Sequence, residues 1–528
     1  MRNAPPKLAA MLASKLPDSG LVAEVKPTGP YLNFVLSKEK LGEWVAKSIL
    51  DGSFFQKKLT AETPRTMIEY SQPNTHKEMH VGHMRNLALG DALIRMHRYA
   101  GYDIVSATFP GDVGTHVAKC LWYLKYHNQE PIPETGRGAW LGKMYVCGTG
   151  LLAEMEGTER EAEAKKQMTD ILKQLEAKEG DFYELWKETR EWSIAQMEAV
   201  YAWANVKFDA WYWESDVDTE SVAYVKEQYA KGMFQESDGA VGMDLSEDNL
   251  GFCLLLKSDG TGLYATKDVE LARRKFQDNG IEKSVYIVDK RQEWHFKQVF
   301  KVLEKMGFEQ AKNCYHLQYD YVEGKEGMFS SRLGNAVPVV DLIEQMTAAI
   351  RKDYLENSVA KGIMTAEEAE KIAVIVAQGA IKYGMVKIDP AKKIIFNMEE
   401  WIRISGDSGP YQQYTFARIN SLCKKQGFDA NGPFDWEKLG DAREVELLVK
   451  ASRFNDVALS ASQSYKPSLL TNYLYDLAQL YNNLNNAVFI RDISDPVEKN
   501  SRMAVHMVVA KVIEKGLAIM GIPVPEKM

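Results

Sequence analysis

Short β-rich runs alternate with stretches of helical apolar spacing through the first 400 residues, after which only the helical spacing remains. Lys7 to Leu16 has the period of a helix, Gly29-Pro30 reads as a turn, and Tyr31-Leu-Asn-Phe-Val-Leu36 alternates like a strand. A second helix is expected over Leu41 to Leu50. Residues 1–60 are too few to bury much core alone and are expected to pack on the adjoining domain. At Thr66-Met-Ile-Glu-Tyr70 a β-rich run leads through the polar loop Ser71 to Lys77 into a helix beginning near Gly82, with Leu87, Leu89, Leu93, Ile94 and Met96 at its apolar positions. Strand, loop and helix in this order open an α/β nucleotide-binding unit.

Gly101 to Val105 predicts the next strand. Residues 151–205 are charged, helical in pattern and free of proline, and read as an insertion between two halves of a sheet. Strands return at Phe252 to Leu256 and Ser284 to Val288, with a helix from Asp268 between them and another over Trp294 to Met306. Asp407-Ser-Gly-Pro410 marks a hinge, and Pro467 and Pro496 interrupt the helices beyond it. The expected fold is an interrupted parallel α/β domain of Rossmann type followed by an all-α domain.

Length adds that the 528 residues suffice for three or four domains. The composition is that of an ordinary globular protein, with 45% hydrophobic and 26% charged residues. No apolar run is long enough to cross a membrane, and no secretory leader is recognisable at the N-terminus. Cys120, Cys147, Cys253, Cys314 and Cys423 are scattered without a CxxC pair, so neither a disulfide framework nor a structural zinc site is expected. A reducing, cytoplasmic location fits. The net charge of -8 does not exclude a nucleic-acid partner, because such an enzyme needs a local basic track rather than a basic total. Residues 401–528 hold 15 Lys+Arg against 14 Asp+Glu, so the acidity lies in the preceding part.

The sharpest chemical feature is His80-Val-Gly-His83, placed between a strand and a helix N-terminus. Main-chain N–H groups and the helix dipole favour an anion there, imidazoles donate to phosphate oxygens, and Gly82 lets a flat base approach the backbone. An exposed pair or half of a metal site are the other readings, although no third ligand stands at metal-like spacing. The second feature is Ser330-Ser-Arg-Leu-Gly-Asn335, in a stretch containing Gly324, Gly327 and Gly334. Such a loop can close over a triphosphate, or it can be a plain surface turn.

Together, in this order, the two features resemble the "HIGH" and "KMSKS" signatures of class I aminoacyl-tRNA synthetases. The neighbourhood narrows the resemblance to arginyl-tRNA synthetases. Glu69-Tyr-Ser-Gln-Pro-Asn74 resembles that family's E-F-S-S-P-N, Lys77-Glu-Met-His-Val-Gly-His83 its K-P-x-H-x-G-H, and Gly111-Asp-Val-Gly-Thr115 its G-D-W-G-T. Asp259-Gly-Thr-Gly-Leu-Tyr-Ala-Thr-Lys-Asp268 is similar to D-G-T-x-L-Y-x-T-R-D, and Gly409-Pro-Tyr-Gln-Gln-Tyr-Thr-Phe-Ala-Arg418 resembles the start of the family's anticodon-binding domain. The tail from Gly521 also resembles the family's C-terminus.

The resemblance implies an ATP-dependent arginine–tRNA ligase, with Mg2+–ATP as substrate, tRNA(Arg) and L-arginine as partners, no protein-bound metal, and a monomer. Lys77, His80, His83, Ser330, Ser331 and Arg332 would be catalytic, and Lys77, His80, Gly82, His83, Ser331 and Arg332 would hold ATP. Glu69, Ser71, Asn74, Tyr264, Asp268 and Gln292 would hold arginine. A planar, permanent cation wants carboxylates and a flat partner, as Glu69, Asp268 and Tyr264 offer. Asp268 has a second reading as a helix N-cap. Tyr411, Tyr414 and Arg418 are candidates for tRNA, with Tyr473 and Asn482 behind them; their spacing equally suits helix packing. Trp186, Trp192, Trp203, Trp211 and Trp213 are expected to be packing aromatics. Lysine is the competing amino acid, and a non-catalytic tRNA-binding relative is the rival of another class.

The implied domains are residues 1–60, a shortened elbow-binding domain either truncated or native; 61–345, catalytic, with a helical insertion near 119–205; 346–404, connecting helices; and 405–528, anticodon-binding. The signature loop departs from the family: Met328 and Phe329 stand before Ser330 where Lys-Met is usual, leaving Lys77, or Lys325, to supply the missing cation.

Overall fold

The computed structural model describes residues 4–16, 20–61, 63–324, 327–328 (backbone) and 337–528. Its centre is a parallel sheet of five strands, numbered along the chain: β1 (Thr66–Glu69), β2 (Ile104–Thr108), β3 (Ala210–Trp211), β4 (Lys283–Asp289) and β5 (Cys314–Tyr319). Their spatial order is β5-β4-β1-β2-β3, every pair parallel. The order reverses at β1, so ligands are expected beyond the C-terminal ends of β1 and β4. All residues of β1 and β2 are buried, as continuous apolar runs in a sheet covered on both faces must be. Three helices position the site: α1 (Val81–Ala100), α2 (Tyr264–Asn279) and α3 (Glu293–Lys305).

Four helices, Thr115–Tyr126, Arg137–Met155, Arg160–Ala177 and Asp181–Trp203, fill the chain between β2 and β3. The insertion therefore begins earlier than its charge pattern announces. Trp186 of the insertion donates from Nε1 to the Asp112 carbonyl at 2.7 Å, and beyond it Trp211 of β3 stacks on Trp213 at 5.5 Å.

One expectation is corrected. Phe252–Leu256 is not a strand of the parallel sheet but pairs antiparallel with Ala240–Asp244, which pairs with Gln235–Ser237. This small sheet has its own core, including Leu245, Leu255, Val269 and Val302. A short apolar run fixes a strand but not its partner.

Residues 1–60 pack on the rest of the chain through their second half. The hairpin Val22–Thr28/Tyr31–Leu36 is largely exposed, whereas Leu41, Ala46, Ile49 and Phe54 are buried in the main core with Leu447, Phe454 and Leu477 of the C-terminal helices. Lys38 donates to the Leu439 carbonyl at 2.7 Å, and a Cβ on Gly42 would stand 2.0 Å from Trp436.

Beyond β5, Val322–Gly324 pairs in parallel with Ile394–Ile395, and the helices Val339–Ile350 and Ala366–Val386 lie between. Asp407-Ser-Gly-Pro410 is held rather than free. Tyr383 donates to Asp407 Oδ1 at 2.6 Å, and Ser408 caps the helix Gly409–Gln426. From there to Ala518 the chain is helical.

Candidate active site

The segment after β1 carries most of the signature residues. His80 is the N-cap of α1: its Nδ1 accepts from the Gly82 N–H at 3.1 Å, while the His80 N–H donates to His83 Nδ1 at 3.1 Å. The imidazoles lie 3.9 Å apart, tilted by 31°. Because both Nδ1 atoms accept, each ring carries its proton on Nε2, which leaves two N–H donors at a helix N-terminus. Both rings are held neutral. Burial and the nearby Lys77 and Arg291 push His80 down to about 4, and burial with the neighbouring His80 and Lys77 drives His83 well below its ordinary value.

Lys77 sits with its ammonium 4.7 Å over the Tyr145 ring, on the inserted helix Arg137–Met155. Arg291 is a further cation here, fixed by both oxygens of Asp289 at 2.9 and 2.7 Å, which sequence reasoning missed. Ser330, Ser331, Arg332 and Lys325 lie outside the described residues. Val337 and Val339 do not: the Val81 N–H donates to the Val337 carbonyl at 3.0 Å and the Val339 N–H to the Met79 carbonyl at 2.8 Å, bracketing the histidines.

The arginine candidates come from three elements. Glu69, at the end of β1, is buried, accepts from Gln72 Nε2 at 3.0 Å and pairs with Lys275 of α2, which is fully buried. The Lys275 ammonium also lies 3.8 Å over the Tyr286 ring. Asn74 bridges in parallel to Gly111, where an added Cβ would stand 2.4 Å from Asn74 Oδ1 and 3.0 Å from Glu214 Oε2. The glycine of Gly111-Asp-Val-Gly-Thr115 is thus required by close approach. The aspartate is structural: Asp112 is buried, accepting from Arg190 Nε at 2.7 Å and from the Ser215 N–H at 2.8 Å.

Tyr264 opens α2 and is 74% exposed. It borders a cavity of about 220 Å³ also lined by Thr115, Trp186, Glu214, Asp218 and Lys267. Lys267 joins Glu214 at 2.6 Å and Asp218 at 3.0 Å. Burial raises Glu214 although Lys267 opposes it. Asp268 is not a helix cap, since the helix starts four residues earlier with Thr266 closing its first turn. Its Oδ2 accepts from His295 Nε2 of α3 at 2.5 Å. Gln292 is the exposed residue before α3.

Ser71 is 2% exposed at φ 56°, its Oγ bonded to the Tyr201 hydroxyl at 3.0 Å and its N–H to Asn86 Oδ1 at 2.5 Å. Glu214, Lys275 and His295 carried no sequence signal, because only the fold brings them to the motifs, and Lys267 stood in a quoted motif without being assigned a role.

On the helix Gly409–Gln426, Arg418 is exposed and Tyr411 and Tyr414 are half-buried; the Tyr411 hydroxyl accepts from Asn482 Nδ2 at 2.7 Å. Tyr473 is buried and donates to the Lys450 carbonyl at 2.8 Å. Among the described residues no group of His, Cys, Asp or Glu is arranged to hold a metal ion, and no helix is long and apolar enough to cross a membrane.

Comparison with known proteins agrees with this arrangement. The family "tRNA synthetases class I (R), catalytic domain" matches residues 45–398, and the "DALR anticodon binding domain" matches residues 412–528. An arginine–tRNA ligase of Bdellovibrio bacteriovorus is 52% identical over 528 residues, covering 100% of this chain and 90% of the relative. One of Parabacteroides distasonis is 35% identical over 489 residues, 89% of this chain and 82% of the relative. The solved structure of Thermus thermophilus arginyl-tRNA synthetase superposes with a TM-score of 0.79 at 26% identity, covering 100% of this chain and 92% of that one. A Rossmann-type catalytic domain entered through His80-Val-Gly-His83, and a helical C-terminal domain behind it, place the chain in the class I arginyl-tRNA synthetase family.

Proposed function

We infer that the protein activates L-arginine with Mg2+–ATP and transfers it to the 3′-terminal adenosine of tRNA(Arg). The observation that carries this reading is the neutral His80–His83 pair, with both Nε2–H groups free of the capping bonds, at the N-terminus of the helix that follows the strand supplying Glu69.

In the first step the arginine carboxylate attacks the α-phosphorus of ATP, and the bond to pyrophosphate breaks. The protein's task is to position the reactants and neutralise charge that develops on phosphate oxygens. His80 and His83 donate hydrogen bonds, the α1 dipole adds partial positive charge, and Lys77 is the cation nearest in sequence. Ser330, Ser331 and Arg332 are assigned to the phosphates by their sequence pattern alone. Neutral imidazoles suit this work because they donate without a charge to desolvate.

The amino acid takes its specificity from carboxylates and a flat hydroxyl-bearing ring. Asn74, Tyr264, Asp268 and Gln292 form that set, with Glu69 behind them. In the second step a ribose hydroxyl of the tRNA attacks the carbonyl of arginyl-adenylate and AMP leaves. Tyr411, Tyr414 and Arg418 are proposed to face the tRNA. The five free thiols support a reducing, cytoplasmic setting.

The test is arginine-dependent ATP–pyrophosphate exchange, run with and without tRNA and with lysine as the control amino acid. Exchange with arginine in the presence of tRNA is expected. Exchange with lysine, or none despite ATP binding, overturns the reading.

A further inference from the structure

The carboxylates around the amino-acid pocket are already matched by internal bases, and the matches differ in kind. Glu69 is paired with Lys275 in a fully buried position. Glu214 and Asp218 share the one Lys267 in the cavity that Tyr264 borders, so this trio carries a fixed net charge that no imidazole modulates. Of these acids, Asp268 alone is matched by an imidazole, His295, one helix away. A lysine partner cancels the charge of its carboxylate at every accessible pH. A neutral imidazole does not: it donates a hydrogen bond and leaves the negative charge in place for a ligand.

We propose that His295 is a positioning residue for Asp268, its Nε2–H holding one carboxylate oxygen so that the other is presented to the cationic end of the amino acid. This rests on the ligase reading and adds to it the residue that decides whether the charge of Asp268 is offered to the ligand. When His295 gains a proton the pair becomes neutral overall, and the pocket loses the charge a guanidinium seeks.

The surroundings isolate this pair. Burial works against a charged His295, but the hydrogen bond and charge of Asp268 outweigh it and raise the imidazole above its ordinary value. From β5, His316 faces it, kept neutral by burial and bonded through Nε2 to the Val288 carbonyl at 3.0 Å. Tyr286 of β4, driven well above its ordinary value by burial, stays neutral. On its own helix Glu293 is matched by Lys297 at 2.7 Å. Before it, Lys290 is matched by Asp320 at 2.5 Å and Arg291 by Asp289 at 2.7 Å. Acidification through the range of His295 therefore changes one charge next to Asp268.

The experiment measures KM for arginine and for ATP, and kcat, in tRNA-supported pyrophosphate exchange between pH 6 and 8.5. It compares the unaltered protein with His295→Gln and His295→Phe. Glutamine retains an N–H donor that cannot gain a proton in this range; phenylalanine has no donor. The unaltered protein should lose affinity for arginine toward acid pH, approaching about tenfold per unit below the titration, with KM for ATP flat. His295→Gln should keep a near-normal KM for arginine at pH 8 and lose the acid rise. His295→Phe should raise KM for arginine about tenfold or more at every pH while kcat falls less than threefold.

An acid rise in His295→Gln equal to that of the unaltered protein, or an unchanged KM for arginine in His295→Phe, overturns the inference. So does an equal rise in both KM values with a matching fall in kcat, the mark of a general structural role. Absence of arginine-dependent exchange by the unaltered protein at any pH would instead remove the ligase reading, and this inference with it.

Discussion

His80 and His83 together cap the N-terminus of α1: the Nδ1 of the first accepts the Gly82 N–H, and the Nδ1 of the second accepts the N–H of the first. The motif thereby spends one nitrogen of each ring on structure and leaves the other for a phosphate. Replacing either histidine by alanine should cost about 10²–10³-fold in the exchange rate, the usual loss when one donor to a developing oxyanion is removed. The helix-capping loss should be only about 1 kcal/mol. Gly82→Ala is the finer probe, since its Cβ would stand 2.9 Å from His80 Cε1 and turn the ring without removing it. Its exchange rate should fall with little change in melting temperature. An active Gly82→Ala protein would show that the ring orientation is not what matters.

Gly111→Ala should act on the amino acid rather than on ATP. The new methyl group would meet Asn74 Oδ1 at 2.4 Å and Glu214 Oε2 at 3.0 Å; the backbone beside Asn74 is tied to Gly111 by a 2.8 Å bond from the Thr75 N–H, and Glu214 is held by Lys267 at 2.6 Å. The KM for arginine should rise about tenfold or more, as expected when a hydrogen-bonding partner is misplaced. Steady-state kinetics with ATP saturating, then with arginine saturating, separates the two substrates.

The Glu69–Lys275 pair makes a prediction about stability. Both groups are buried, so removing one partner leaves the other charged and unmatched. Lys275→Met should destabilise the protein by about 3–5 kcal/mol. Combining it with Glu69→Gln should recover much of that loss, since no unpaired charge remains. Chemical denaturation of the two single variants and the double variant gives the coupling. Additive losses would mean that the buried pair is not the unit.

The contrast between these sites explains what could be read from the sequence. His80-Val-Gly-His83 was legible because its chemistry is local: the cap, the glycine and both rings lie within four residues. Glu69, Asn74 and Asp268 were legible as candidates because each sits in a short pattern. Their partners were not, since Lys275 and His295 reach them only after the sheet has brought α2 and α3 together. The same limit misplaced Phe252–Leu256, whose apolar run specifies a buried strand but says nothing of which strand lies beside it. Ser71 shows the converse: it stands within a motif, yet a left-handed backbone turns its hydroxyl to Tyr201. In the C-terminal helices, packing and binding both use the spacing of Tyr411, Tyr414 and Arg418, so period alone could not choose between them.

Acid should destabilise the folded protein well before its carboxylates are protonated. His76, His97 and His506 are buried, and burial pushes them down to about 3, 4 and 4 respectively. In the unfolded chain each binds a proton near pH 6.5, whereas in the folded chain it stays neutral until much lower pH. The stability these groups protect is therefore complete above about pH 6.5 and declines as pH falls toward 4. Between pH 6.5 and 5.5 each should contribute a loss of about 1 kcal/mol, about 3 kcal/mol for the three together. His295 works in the opposite direction: raised by Asp268, it favours the folded state below pH 6.5, and that contribution is lost as pH climbs through its own value, so it offsets part of the slope. Urea midpoints at pH 7.5, 6.5 and 5.5 measure the net effect. His506→Gln provides the control. Its imidazole meets the Tyr481 hydroxyl, at 3.2 Å from Nδ1, within the C-terminal helices and away from the proposed site. The variant should lower stability at pH 7.5 yet lose about 1 kcal/mol less than the unaltered protein between pH 6.5 and 5.5. An unchanged slope in that variant would assign the acid sensitivity to other groups.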